Sequence, residues 1–132
     1  MANAIYPKFK EARMNGSANI ALNGTVKAAL VDAGTYTYSA AHEFLTSLTG
    51  VIGTAQTLTN KTYTNGTLDA DDVTYTGVTG ASAEAIVIYI DTGVAGTSRL
   101  VAYLDTGYTN LPVTPNGGNI TVQWAAGGIY TG

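Results

Sequence analysis

The sequence predicts a mainly β protein: an antiparallel β-sandwich, with jelly-roll topology one arrangement in that class, a short N-terminal helix and one short inserted helix. Three observations predict it. Thr, Ala and Gly supply 21, 19 and 16 of the 132 residues, and Tyr supplies nine of the twelve aromatics. From Gly24 onward, about eight short runs alternate or cluster apolar residues as strands do. Gly and Asn turns separate those runs, as in sandwiches and barrels.

A chain this short is read as one domain, with an N-terminal segment over 1–23 followed by the β-sandwich domain over 24–132. Within the segment, Ala4 to Met14 reads as a helix. Pro7 suits a first turn, Ile5, Phe9 and Ala12 share one face, and Asn15-Gly16 ends it. Thr25 to Val31 is apolar enough for a buried strand. Thr35-Tyr36-Thr37-Tyr38 alternates with period two and reads as a half-buried strand. Ser39 is a good helix N-cap, and Phe44, Leu45 and Leu48 share a helical face, so a short helix is expected over 39–48, closed by Gly50. Strand-like runs follow at 57–64, 67–68 and 72–78, with Asn65-Gly66 as a hairpin turn. Ala85-Ile86-Val87-Ile88-Tyr89-Ile90 is the most hydrophobic stretch and reads as a central strand. Arg99 to Leu104 is its expected partner. Ile120 to Trp124 alternates cleanly, and Gly127 to Tyr130 reads as a last short strand.

Composition excludes several functions. Cys is absent, so there is no disulfide framework, thiolate metal site or Cys nucleophile. A single His removes any multi-His metal site within one chain. No apolar run is long enough to span a bilayer as a helix, and Ile5 to Lys10 lacks the apolar stretch of a secretory signal. The net charge of −3 argues against nucleic acid as the main partner. No cofactor, metal site or membrane contact is expected.

Few motifs offer chemistry. Asp-Thr-Gly occurs at Asp91 and again at Asp105, and Val31-Asp32-Ala33-Gly34 is a weaker third copy. In aspartic proteases such tripeptides bring two carboxylates together. Here both copies leave adjacent strands of one expected antiparallel hairpin, which puts them at opposite ends, about 20 Å apart. Turn capping is the better reading. Asp69-Ala70-Asp71-Asp72 fails the EF-hand pattern, since Thr74 and Gly80 stand where Gly and Glu are needed; it reads as a turn. His42 is the one candidate general base, and Ser82 only imitates a nucleophile elbow. Asn15, Asn23, Asn60, Asn65 and Asn119 begin Asn-x-Ser/Thr sequons, a chance product of so much Thr. Trp124 and the tyrosines form a candidate sugar-stacking set.

Charge is unevenly placed. Residues 1–27 carry Lys8, Lys10, Arg13 and Lys27 against Glu11, a net of +3; the rest carries two cations and eight anions, a net of −6. One expectation follows: the N-terminal segment docks on a neighbouring subunit, with Ile5, Tyr6 and Phe9 as apolar anchor and Lys8, Lys10 and Arg13 as steering charges. The bland alternative is that Ile5 and Phe9 cover an open end of the sandwich.

Several stretches resemble small structural proteins of tailed bacteriophages. They are Asn3-Ala4-Ile5-Tyr6, Gly24-Thr25-Val26-Lys27, Ala29 to Asp32, Tyr36 to Leu45, Leu68 to Thr74, Ala85 to Gly93 and Thr97 to Tyr103. The specific run Leu111-Pro112-Val113-Thr114-Pro115-Asn116-Gly117-Gly118, followed by Ile120 to Trp124, completes the resemblance, which covers nearly the whole chain. The family's members tend to finish with an Ile-Phe-Lys-Leu-like strand; this chain has Ile129-Tyr130-Thr131-Gly132 instead. The resemblance implies a non-enzymatic virion protein made in the host cytoplasm. Its expected role is a capsid cement (decoration) protein on the outer head surface. The major capsid protein is its expected partner, and a homo-oligomer, a trimer over a dimer, its expected state. A carbohydrate-binding or tail-associated β-sandwich module is the alternative.

Overall fold

The computed structural model describes residues 4–20, 22, 24–105, 111–124 and 128–131, with backbone only at 130 and 131. The elements run β1 (Ala4–Ile5), α1 (Pro7–Asn15), β2 (Val26–Val31), β3 (Val51–Thr57), β4 (Thr67–Leu68), β5 (Val73–Tyr75), β6 (Ala85–Ile90), β7 (Leu100–Leu104), β8 (Ile120–Val122) and β9 (Tyr130–Thr131). Among the described residues the fold is mainly antiparallel β with one α-helix. Five strands form the main sheet in the order β1-β7-β6-β2-β3, and β4-β9 and β5-β8 form two small pairs. The described strands thus divide five, two and two, not into the paired four-stranded sheets of a jelly roll.

The central strands explain themselves. Every residue of β6 and β7 is buried, as their unbroken apolar runs require of strands covered on both faces. Register assigns the faces, because directly paired residues share one. Ala28, Leu30, Ile86, Ile88, Ala102 and Leu104 pair along one face. The β5-β8 pair turns Val73, Tyr75, Ile120 and Val122 inward. The buried Tyr75 hydroxyl ties this pair to the main sheet by donating to the Ala28 carbonyl at 2.7 Å. Ala29, Val31, Ala85, Val87 and Tyr103 share the other face.

The N-terminal segment belongs to this core. Ala4 and Ile5 pair with Tyr103 and Ala102, and the Tyr6 amide donates to the Val101 carbonyl. Pro7 opens α1 and Gly16, at φ 69°, closes it, as the sequence indicates. Tyr6, Phe9 and Ala12 are all but inaccessible. Residues 4–12 are therefore packed into the domain over 24–132.

Three local expectations need correction. Residues 39–48 do not form an α-helix: Phe44 bridges to Arg99, which draws the chain into extended pairing and leaves a single 3-10 turn at Leu45–Ser47. Ser39 still caps, its hydroxyl accepting from the Ala41 amide. Thr35 to Tyr38 is not a strand; Tyr36 faces in and Thr37 out, but no neighbour supplies a ladder. The run at 57–64 keeps only Thr57 in β3 and an isolated bridge from Thr62 to Asp69 around the Asn65-Gly66 turn. Thr106, Gly107, Asn23 and Gly127 lie outside the described residues.

Candidate functional site

One end of the main sheet gathers a distinct site. β2 ends, β6 begins and β7 ends together there, because Val31 pairs with Ala85 and Ile86 with Leu104. The chain leaves β2 through a tight turn. Asp32 accepts from the Gly34 amide with one carboxylate oxygen and from the Thr35 hydroxyl with the other. The amides of Thr35 and Tyr36 donate to its carbonyl. That reversal folds Tyr36 and Tyr38 back over the sheet.

Four tyrosines from three parts of the chain meet as a result. Ring centroids of Tyr6 and Tyr38 lie 5.0 Å apart, Tyr38 and Tyr103 5.5 Å, and Tyr36 and Tyr103 6.2 Å, all tilted, a favourable range for aromatic pairs. Their hydroxyls are wired inward. The Tyr6 and Tyr36 hydroxyls are 2.7 Å apart, and Tyr36 reaches His42 Nδ1 at 2.7 Å. With Nδ1 as acceptor, Tyr6 donates to Tyr36 and Tyr36 donates to His42. Burial pushes all four phenols above their ordinary value; for Tyr103 the nearby Asp105 and Glu84 carboxylates push further.

Above the rings lies an open cleft of ≈ 550 Å³ walled by Tyr36, Tyr38, Tyr103, Glu84, Asp105 and Pro112. Glu84 is fixed at both ends: its amide donates to the Val31 carbonyl, and its side chain accepts from the Ala33 amide at 2.9 Å. No cationic residue lines the cleft among the described residues.

The residues expected to dock lie nearby but divide in two. Tyr6 and Phe9 are 0% and 1% exposed, packed in the chain's own core, so they offer no anchor to a partner in this conformation. Ile5 is half-buried against the same core. Lys10 is exposed, Lys8 pairs with Glu11 at 3.5 Å, and Arg13 lies 5.0 Å over the Phe9 ring. The basic side chains therefore sit on a helix that covers the core, which is the bland alternative.

The other motifs are absorbed by the fold. Asp91 accepts from the Gly93 amide at 2.9 Å and pairs with Lys27 at 3.1 Å; the backbone bond, then Lys27, holds its carboxyl below the usual range. It lies at the opposite end of the β6-β7 pair from Asp105. Asp71 accepts from Asn60, and Asp72 accepts from the Trp124 amide. Trp124 is only 8% exposed and its indole donates to the Asp71 carbonyl, so it is no stacking platform. Among the described residues no three metal-ligating side chains gather, and no helix is long and apolar enough to cross a membrane.

Sequence reasoning missed this cleft. Tyr36 and Tyr38 read as strand residues and Glu84 carried no signal. The usable clue was that Asp32 and Asp105 both follow strand ends, which strand order alone brings together. No protein-family model matches the chain, and no curated protein is significantly similar to it.

Proposed function

We propose that the protein is a non-enzymatic structural protein of a tailed-phage virion: a cement protein on the outer surface of the head that binds the major capsid protein and stabilises the shell. The observation that carries this reading is the resemblance along nearly the whole chain, above all the run Leu111 to Gly118. The geometry supports it in a second way. Asp32, Asp72, Asp91 and His42, which the sequence offers for chemistry, each bond to a turn, a strand or a neighbouring ring of the chain itself. Among the described residues, the basic side chains of Lys8, Lys10 and Arg13 lie on α1, which follows the edge strand β1 of the main sheet. A structural part works by contact. Several weak patches on one particle add through multivalency, and a closed homo-oligomer, here a trimer, fits a local symmetry axis.

A rebinding assay tests the reading. Purified protein is mixed with heads of the cognate phage from which it has been stripped, and co-sedimentation and head melting are measured. Saturable binding with a raised disruption temperature is the expected result. Binding to tails alone, or to neither, would overturn it.

A further inference from the structure

We infer that Asn65-Gly66 is a self-modifying site: the Gly66 backbone nitrogen attacks the Asn65 carboxamide, and the side chain is deamidated by way of a succinimide. The inference stands on the geometry of this turn and owes nothing to the capsid reading.

The chain holds four Asn-Gly pairs, beginning at Asn15, Asn23, Asn65 and Asn116, and Asn23 lies outside the described residues. Asn-Gly is the pair in which this ring closes most readily, because glycine has no Cβ to hinder the approach of its nitrogen. Asn15, Asn65 and Asn116 are all exposed, so access to water does not separate them. Hydrogen bonding does. Ring closure requires the following amide to lose its proton and swing onto the carboxamide carbon, so a bonded amide and a bonded carboxamide both resist it.

At Asn15 both groups are held. The Gly16 amide donates to the Ala12 carbonyl as it closes α1, and the Asn15 carboxamide oxygen accepts from the Ser17 amide at 3.0 Å and from the Ser17 hydroxyl. Asn116 is held in the same way. The Gly117 amide donates to the Val78 carbonyl at 2.7 Å, and the Asn116 carboxamide oxygen accepts from the Gly118 amide at 2.9 Å. Asn65 differs on both counts. The Gly66 amide reaches the Tyr63 carbonyl only at 3.3 Å, beyond the usual range. No described residue hydrogen-bonds the Asn65 carboxamide. Asn65 stands in the left-handed region at φ 55°, and Gly66 follows at φ 76° with nothing within 4 Å of where a Cβ would be. The turn can rotate with little to break and nothing to push aside.

The step balances with water as the only co-reactant. The bond from the Gly66 nitrogen to Asn65 Cγ forms, the Cγ–Nδ2 bond breaks, and ammonia leaves with the proton given up by the amide. Water then opens the ring at either carbonyl, which yields aspartate or isoaspartate. Either product adds a negative charge to a chain already at −3. Isoaspartate also adds a main-chain methylene inside the turn that joins the Thr62 and Asp69 bridge.

The test incubates the full chain at mildly alkaline pH, native and in guanidinium chloride, and follows the Asn-Gly peptides by mass spectrometry after digestion. In the native protein Asn65 converts about tenfold faster than Asn15 or Asn116, the ratio that one or two net hydrogen bonds set. In denaturant the three rates converge, since folding alone separates them. Asn65→Asp keeps a residue suited to the left-handed turn, and its peptide co-elutes with the aspartate form that accumulates in the aged native protein. Conversion at Asn15 or Asn116 as fast as at Asn65 in the native protein would overturn the site. So would an unchanged ratio in denaturant, or an Asn65 peptide that stays intact.

Discussion

Replacing Tyr36 by Phe costs more than replacing Tyr6 by Phe, although Tyr6 is the more deeply buried residue. The reason is the order of the hydroxyl chain from Tyr6 through Tyr36 to His42. Tyr6→Phe deletes the terminal donor; Tyr36 keeps its bond to His42, and the loss is that of one hydrogen bond, about 0.5–1.5 kcal/mol. Tyr36→Phe deletes the middle link. It strands the Tyr6 hydroxyl at 0% exposure, which costs about 1–3 kcal/mol, and also removes the bond to His42, about 1 more. The double variant has no stranded hydroxyl, so it costs clearly less than the two single changes added together. Urea unfolding followed by the fluorescence of Trp124, the single tryptophan, measures all three. A gap of about 2 kcal/mol moves the midpoint by roughly 1 M. Equal costs for the two single variants, or strict additivity, would refute the wiring.

Other outcomes follow from the same geometry. Phe9→Ala removes a core ring and lowers stability by about 3–5 kcal/mol, while Lys10→Ala, on the exposed side of α1, changes it by less than about 0.5; the reverse order in thermal melts would revive the docking arm. Gly50 sits at φ +67°, and an added Cβ would stand 2.9 Å from the Thr35 Cβ, so Gly50→Ala destabilises by about 1–3 kcal/mol; a neutral result by denaturant titration contradicts that turn. Asp91→Asn keeps the cap on Gly93 and loses only the Lys27 pair, a cost of about 1 kcal/mol or less in the same titration. Burial raises Tyr6, Tyr36, Tyr38, Tyr75, Tyr89 and Tyr103 above their ordinary value. Their contribution is complete below the unfolded tyrosine value of about 10 and is lost as pH climbs beyond it. Tyrosinate absorbance from these rings therefore appears together with loss of the circular dichroism signal, and ionisation of all six in a native protein would be contrary.

Legibility in the sequence followed how each element is stabilised. β2, β6 and β7 were readable because burial on both faces demands unbroken apolar runs. α1 was readable from Pro7, its spaced apolar residues and Gly16. The Asp91 and Asp32 turns were readable because their stabilising bonds are local, from a side chain to an amide two residues on. β3 was not, since an edge strand with the burial pattern of Val51–Thr57, mostly exposed, carries no periodic signal. Residues 39–48 misled because the local helical pattern lost to a distant partner, Arg99, which also holds Glu43 at 2.9 Å. The cleft was hidden for the same reason. Glu84, Tyr36 and Asp105 are far apart in sequence, and only the order β2-β6-β7 makes them neighbours.

The proposal that this chain is a head-surface protein is tested most directly by a cryo-electron-microscopy reconstruction of the phage particle that carries it. The account predicts trimeric β-domain density on the outside of the shell, in contact with the major capsid protein at local symmetry axes. Density for the domain confined to the tail, inside the head, or missing from purified particles would contradict it.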